Sequence, residues 1–281
     1  MKDYFCGWYI KCQGSFRTVA FIPAYHISDG VKTCSLQIIT DDRSWYADYP
    51  IEQFHMDEKG VTIGPNVFTK QGCKLDIRIP ELTITGELSF GEFTPLAYDI
   101  MGPFKYVPFL QCRHSVFSMK HRVRGELWIN GESWKLTVGE CYIEGDRGRS
   151  FPGEYLWTQC NNPWGSIMLS VADIPFCGLH FNGVICAIHY RGREYRLATY
   201  LGAKAVRIQN GEVIIRQGRK TLTVRRMQDR GKPLAAPVAG DMKRTIRESP
   251  SCRVFYHYQE KGKTVFKFIS EVASFEYEYP Q

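Results

Sequence analysis

Leu75-Asp76-Ile77-Arg78-Ile79-Pro80-Glu81-Leu82-Thr83-Ile84 is the stretch on which the fold turns. Up to Ile79 the apolar side chains fall on odd positions; after Pro80 they fall on even ones, at Leu82, Ile84, Leu88 and Phe90. Successive side chains of a strand point to opposite faces, so each run is a strand with one buried face. A change of parity at a proline is the trace of a turn between two such strands.

The pattern recurs in both directions from there. Asn130-Gly131 separates alternating runs at 126–129 and 132–137, and Asn210-Gly211 separates 206–208 from 212–215. These dipeptides suit a two-residue hairpin turn, which needs positive φ. Arg191-Gly192, between 184–190 and 194–200, and Lys261-Gly262, before 264–269, read as a third and a fourth hairpin. Sustained helical periodicity is scarce. The segment 229–250 holds Pro233, Pro237, Gly240 and several charges, and reads as a long loop with one helical turn at 241–247. About sixteen strands emerge, and a sheet of that size must close or split to bury its faces. The expected class is all-β: two antiparallel barrels or sandwiches of about eight strands each, spanning 1–135 and 136–281.

Composition narrows the class further. The 281 residues are 44% hydrophobic and 23% charged, which excludes a disordered chain. No run reaches the roughly 18 apolar residues that span a bilayer. The best uncharged run, 174–190, is broken by Pro175, Gly178, His180, Asn182, Gly183 and His189. Lys2 and Asp3 precede a Trp/Tyr strand without the apolar core of a secretory signal. A soluble, cytoplasmic chain is the expectation. Ten cysteines, none in C-x-x-C spacing, fit reduced thiols used as small apolar fillers.

The net charge of +7 is uneven: residues 191–281 hold 19 Lys and Arg against 9 Asp and Glu. Such asymmetry can mark a face that meets anionic lipid or nucleic acid. The arginines are spread along alternating strands, at 191, 193, 196, 207, 216, 219, 225 and 226. That spread reads as a solvated sheet face and gives no nucleic-acid module.

Groups able to do chemistry are densest over 102–161. Met119, His121 and Val123 share a strand face with Phe117, which sets His121 among apolar neighbours; His114 points the other way. His121 reads either as a hydrogen-bonded core histidine or as a proton relay. Glu144 and Asp146, two apart, face the same side of an extended chain. In a barrel mouth, desolvation and mutual repulsion would keep one of them protonated; in a solvated turn, Arg147 or Arg149 would pair them. The seven-residue spacing of His114 and His121 matches no short ligand motif, so no metal is expected. Phosphate-binding glycine loops and a Gly-x-Ser-x-Gly elbow are absent.

Several blocks resemble the tocopherol cyclase family. Tyr4-Phe5-Cys6-Gly7-Trp8-Tyr9-Ile10-Lys11 is similar to its opening, and Phe21-Ile22-Pro23 to the next block. The run from Gly102-Pro103-Phe104 through Val107-Pro108-Phe109 and Cys112 to His114 and Met119 resembles another, with His121 on a second family histidine. Glu144, Asp146, Ser150, Phe151 and Pro152 fall on a fourth, and Arg196-Leu197-Ala198-Thr199-Tyr200 and Ala236-Pro237-Val238 through Arg244 on later ones. Cys6, Gln111, Gly145 and Arg147 depart from the family pattern, replacing Glu, Glu, Lys and Trp.

The resemblance implies two lipocalin-like, calycin-type barrels in tandem, related to carotenoid hydratases. It also implies cofactor-free chemistry: an acid protonates the alkene of a prenylated hydroquinone, and the phenol oxygen captures the cation to form a chromanol. On that reading Asp146 or Glu144 donates the proton and His114 or His121 relays it. Trp8, Tyr106, Tyr142, Tyr155 and Trp157 line the substrate site. The implied partner is a small hydrophobic isoprenoid; the basic C-terminal third adds the expectation of peripheral contact with a membrane surface. Loss of the family carboxylates leaves a second reading, a non-catalytic carrier of a prenyl lipid or quinone.

Overall fold

Asn130 and Gly131 adopt φ of 51° and 82°, Arg191 and Gly192 50° and 74°, Asn210 and Gly211 50° and 74°, and Lys261 and Gly262 51° and 76°. Each pair thus forms the left-handed two-residue turn its sequence calls for, joining antiparallel neighbours. The structure, a computed structural model, describes residues 2–15, 17–108, 110–176 and 178–280. Phe109 and Cys177 lie outside them.

The chain forms two sheets. The first holds β1 (Tyr4–Gln13), β2 (Thr18–Ser28), β3 (Val31–Thr40), β4 (Ser44–Tyr49), β5 (Phe54–Met56) and β6 (Gly60–Ile63). It continues with β7 (Asn66–Thr69), β8 (Gly72–Ile79), β9 (Leu82–Phe90), β10 (Cys112–Ile129) and β11 (Glu132–Gly148). The second holds β12 (Tyr155–Asn162), β13 (Gly165–Phe176), β14 (Leu179–Tyr190), β15 (Arg193–Ala198) and β16 (Lys204–Gln209). It ends with β17 (Glu212–Gln217), β18 (Lys220–Arg226), β19 (Lys232–Val238), β20 (Asp241–Glu260) and β21 (Lys263–Tyr277). Their orders are β4-β3-β2-β1-β11-β10-β9-β8-β7-β6-β5 and β15-β14-β13-β12-β21-β20-β18-β17-β16. In both, the first strand pairs with the last and the rest run as meanders, so the topology is duplicated.

Each sheet curls around its own core. In the first, Phe21 on β2 meets Phe68 on β7 at 6.1 Å, and Tyr25 stacks on Phe54 of β5 at 5.4 Å, although those strands are far apart in sheet order. In the second, Tyr195 on β15 meets Tyr258 on β20 at 5.4 Å. The parity flip at Pro80 holds in space: Leu75, Ile77, Leu82, Ile84 and Leu88 are all in the first core. The nine described cysteines are free thiols, and all but Cys6 and Cys112 are buried.

Three expectations are corrected. Among the described residues there are 21 strands, because β5, β6 and β7 are only three or four residues long and carry little period of their own. The sheets hold eleven and ten strands, more than the expected eight. The segment 229–250 is no loop with a helical turn: it contains β19 and the start of β20, joined by a turn at Ala239 (φ 49°) and Gly240 (φ 78°). Its prolines are tolerated because β19 pairs only with β20, and an edge strand can do without a donor.

Position 135 falls inside β11. The compact units interleave instead: one comprises Met1–Pro95, His114–Ser150 and Ala236–Lys243, the other Leu96–Arg113, Phe151–Ala235 and Arg244–Gln281. In the first unit the 239–240 turn is fixed by bonds from Ala239 N–H to Ser150 Oγ (2.8 Å) and from Gly240 N–H to the Arg149 carbonyl (2.8 Å). A Cβ on Gly240 would lie 1.8 Å from the Ile27 carbonyl oxygen. Gly240→Ala is therefore expected to destabilise the protein by about 2 kcal/mol or more, read as a lower urea midpoint at unchanged slope. An unchanged midpoint would show that the turn is not held as described.

Candidate functional site

β1 and β11 pair in unbroken register, with Cys12 opposite Cys141, Ile10 opposite Ile143, and Trp8 opposite Gly145. Ile10, Cys12, Cys141 and Ile143 belong to the first core. The residues between them, Tyr9, Lys11, Tyr142, Glu144 and Asp146, point to the opposite face of the sheet by strand alternation. That face is covered too: Tyr9, Lys11, Tyr142 and Glu144 are buried, and only Asp146 keeps partial exposure.

His114, at the start of β10, lies between the two acids. Its Nδ1 is 2.9 Å from Asp146 Oδ1 and its Nε2 is 3.0 Å from Glu144 Oε2. The Tyr142 hydroxyl donates to the same Glu144 oxygen. Burial pushes the His114 pKa down, but the Glu144 and Asp146 charges and the hydrogen bond to Asp146 outweigh it and raise it well above the ordinary histidine value; Nε2 lies close to Glu144 without hydrogen-bond geometry. The two acids beside it favour the protonated form of the ring. Burial and Glu144 raise the Tyr142 phenol well above its usual range, so it stays a donor.

Glu144 and Asp146 do share a side, as their spacing implies. They sit across the sheet from the core, and a histidine joins them. Arg149 pairs with Asp3 at 3.5 Å, and Arg147 stands opposite Cys6. The departure at Gly145 lies where the Phe117 and Trp8 rings crowd the strand. A Cβ there would come within 2.9 Å of the exposed Phe117 ring, 3.1 Å of the Gly7 carbonyl oxygen and 3.3 Å of Trp8, so a side chain at 145 would require Phe117 to move aside.

The other sequence candidates lie elsewhere. His121 bonds to Ser118 Oγ at 2.8 Å and packs against Phe90 (5.1 Å) and Phe93 (4.5 Å). Burial holds its pKa down to about 4, so it is neutral, unlike His114. Phe117, expected beside it, is 43% exposed. Trp8 packs against the core, on the face away from Glu144 and Asp146. Tyr106 is 76% exposed, on a short 3₁₀ turn at Gly102–Tyr106 in the second unit. Three atoms of His114, Glu144 and Asp146 lie within 4.8 Å of one another, a donor set that could hold a metal ion. Both ring nitrogens already face carboxylates, so an ion would have to displace one of those contacts.

Tyr155 and Trp157 belong to the second unit, on the β12–β21 seam that corresponds to β1–β11. Leu156 and Phe275 are in the second core; Tyr155, Trp157 and Glu276 have the opposite parity. Tyr155 donates to Glu276 at 2.5 Å, and Glu248 stands opposite Glu276 on β20. This second buried Tyr–Glu pair was not singled out by sequence reasoning. Its members are 121 residues apart with no local motif.

Two blocks of the resemblance meet in the same unit. Ala97 N–H donates to Glu194 (2.9 Å), Arg196 to the Tyr98 carbonyl (2.6 Å) and the Tyr200 hydroxyl to the Ile100 carbonyl (3.1 Å). Gly102, at φ 51°, lies against the Tyr200 ring, where a Cβ would come within 2.6 Å. These contacts tie down the chain from Ala97 to Gly102, and of the two blocks only the His114 end of the first reaches the His114 cluster.

Among solved structures, the chain is similar to a protein described as an AttH from Nitrosomonas europaea, with TM-score 0.57, 8% identity, and 100% and 93% of the two chains covered. It is similar to CghA bound to Sch210972, with TM-score 0.57, 10% identity and coverage of 98% and 88%. It is also similar to kievitone hydratase from Nectria haematococca, with TM-score 0.53, 11% identity and coverage of 98% and 89%. No protein-family profile and no curated protein sequence matches the chain. The fold is lipocalin-like. Among the described residues, no helix is long and apolar enough to cross a membrane.

The raised His114 pKa makes a signed prediction. A group held protonated by the fold contributes stability that is complete below its unfolded pKa, about 6.5, and is lost as pH rises through the folded value. His114→Gln leaves two carboxylates without their cation and should cost roughly 3 kcal/mol near pH 6. In thermal melts, the gap to the parent protein should shrink steadily as pH rises. A gap that grows with pH would contradict the assignment.

Proposed function

We propose that this protein is a cofactor-independent acid–base enzyme that adds a proton to the alkene of an apolar isoprenoid, as tocopherol cyclase-like chemistry requires. The observation that carries the reading is the His114 imidazolium held between the Glu144 and Asp146 carboxylates, with the Tyr142 phenol behind. Asp146 is the member with partial exposure, and so the one a substrate can approach. The proton on His114 Nδ1 passes to Asp146 Oδ1 and from there to the alkene, with His114 as relay and Asp146 as donor. A tertiary cation forms beside a cluster that has just become more negative, which stabilises it electrostatically. A phenol oxygen of the same molecule attacks that cation, and its proton returns to the cluster. A C–O and a C–H bond form, the alkene π bond and an O–H bond are lost, and nothing is oxidised.

Two further observations support the reading. The motif blocks shared with the tocopherol cyclase family include His114, Glu144 and Asp146, the three residues brought together here. One protein of similar fold is named a hydratase, and hydration also begins with proton addition to an alkene. His121, neutral and set among Phe90, Phe93 and Ser118, is given no proton-transfer role.

The test is incubation of the purified protein with a prenylated hydroquinone kept reduced, with the chromanol followed by mass spectrometry. The parent protein should form it, and His114→Gln or Asp146→Asn should lower the rate about a hundredfold or more. A prenyl quinone that co-purifies and emerges unchanged, with no turnover, would favour the carrier reading instead.

A further inference from the structure

The excess positive charge of the C-terminal third, read from sequence as a scattered solvated surface, is gathered by the strand register onto one face. Across β16, β17, β18, β20 and β21, the rows Ala205–Ile215–Leu222–Tyr258–Phe266 and Ile208–Val213–Val224–Tyr256–Phe268 point into the second core. The alternate rows point out. They run Lys204–Arg216–Thr221–Gln259–Thr264, then Arg207–Ile214–Thr223–His257–Lys267, with Glu212–Arg225–Phe255–Ile269 completing them.

Five cations stand on these rows, at Lys204, Arg207, Arg216, Arg225 and Lys267, against one acid. That acid, Glu212, is shared by Arg207 (3.3 Å) and Arg225 (3.9 Å). His257 adds no charge, because desolvation and Lys267 push its pKa down. At one end Arg219, Lys220, Lys261 and Lys263 gather at two adjoining turns, with Glu260 the acid among them. Apolar groups are interleaved. Arg225 and Lys267 both lie over the Phe255 ring, at 5.6 and 5.9 Å, while Val206 and Ile269 are each more than two-fifths exposed.

From this arrangement we propose that the outer face of β16–β17–β18–β20–β21 docks on an anionic lipid bilayer. Cations spaced over several strands match a flat field of headgroups, and the exposed Ile269 and Val206, beside the half-buried Phe255, can enter the interface between them. The proposal does not rest on the His114 chemistry, and its test reads binding alone.

The experiment is co-sedimentation of the full-length protein with vesicles of phosphatidylcholine, alone or mixed with phosphatidylserine, at low and at physiological salt. Binding is expected only to the mixed vesicles and should weaken as salt rises. Each single change, Lys204→Gln, Arg216→Gln or Lys267→Gln, should lower the partition coefficient about fivefold, and the three together on the order of a hundredfold. The exposed pair Arg122→Gln/Arg124→Gln, in the other unit, should leave it unchanged. The single variants keep a readout if the triple variant does not fold. Equal binding to both vesicle types, or a triple variant that folds and binds like the parent, overturns the proposal. Retention on heparin without vesicle binding also overturns it, by assigning the face to a soluble polyanion.

Discussion

The pairing of β1 with β11 is the constraint on which the rest of the first unit depends. Nine consecutive residue pairs, from Phe5–Gly148 to Gln13–Glu140, lock two strands whose sequence positions are more than 120 residues apart. Strand alternation then divides their side chains. Cys12, Cys141, Ile10 and Ile143 fill the core, while Tyr142, Glu144 and Asp146 are delivered to the other face. A register slip of one residue would exchange the two sets, burying carboxylates among aliphatic side chains. The core and the candidate site thus share one cause.

Burial on both sides of that seam gives the His114 cluster its character. In a low-dielectric setting an isolated carboxylate is costly, and two beside each other more so. One imidazolium with a nitrogen toward each acid answers both, and the Tyr142 hydroxyl answers one further lone pair. His121, only seven residues along the same strand, sees Phe90, Phe93 and Ser118 and stays neutral. Two histidines of one strand are set to opposite charge states by what each one touches. The second seam repeats the theme with Tyr155 and Glu276, in line with the strand order that the two sheets share.

Local features were legible and distant ones were not. The parity flip at Pro80 and the Asn-Gly, Arg-Gly and Lys-Gly turns each act over a few residues, and their sequences state them directly. Ala239-Gly240 makes the same kind of turn, but alanine is a poor signal for positive φ, and the nearby prolines hid the two strands it joins. The i, i+2 spacing of Glu144 and Asp146 correctly implied a shared side. Nothing in the spacing showed that His114, rather than an arginine, would stand between them. Nor could alternation alone say which face of β11 was the core. Tyr106, drawn in by a neighbouring motif, belongs to a strap that Glu194, Arg196 and Tyr200 hold by its backbone.

The charge on His114 is the central claim, and nitrogen-15 NMR of histidine-labelled protein reads it most directly. The account predicts that both ring nitrogens of His114, assigned by loss of its signals in His114→Gln, remain protonated well above the ordinary histidine range, while His121 shows a neutral ring throughout. A His114 that titrates near 6.5, or is already neutral at pH 7, would contradict the account.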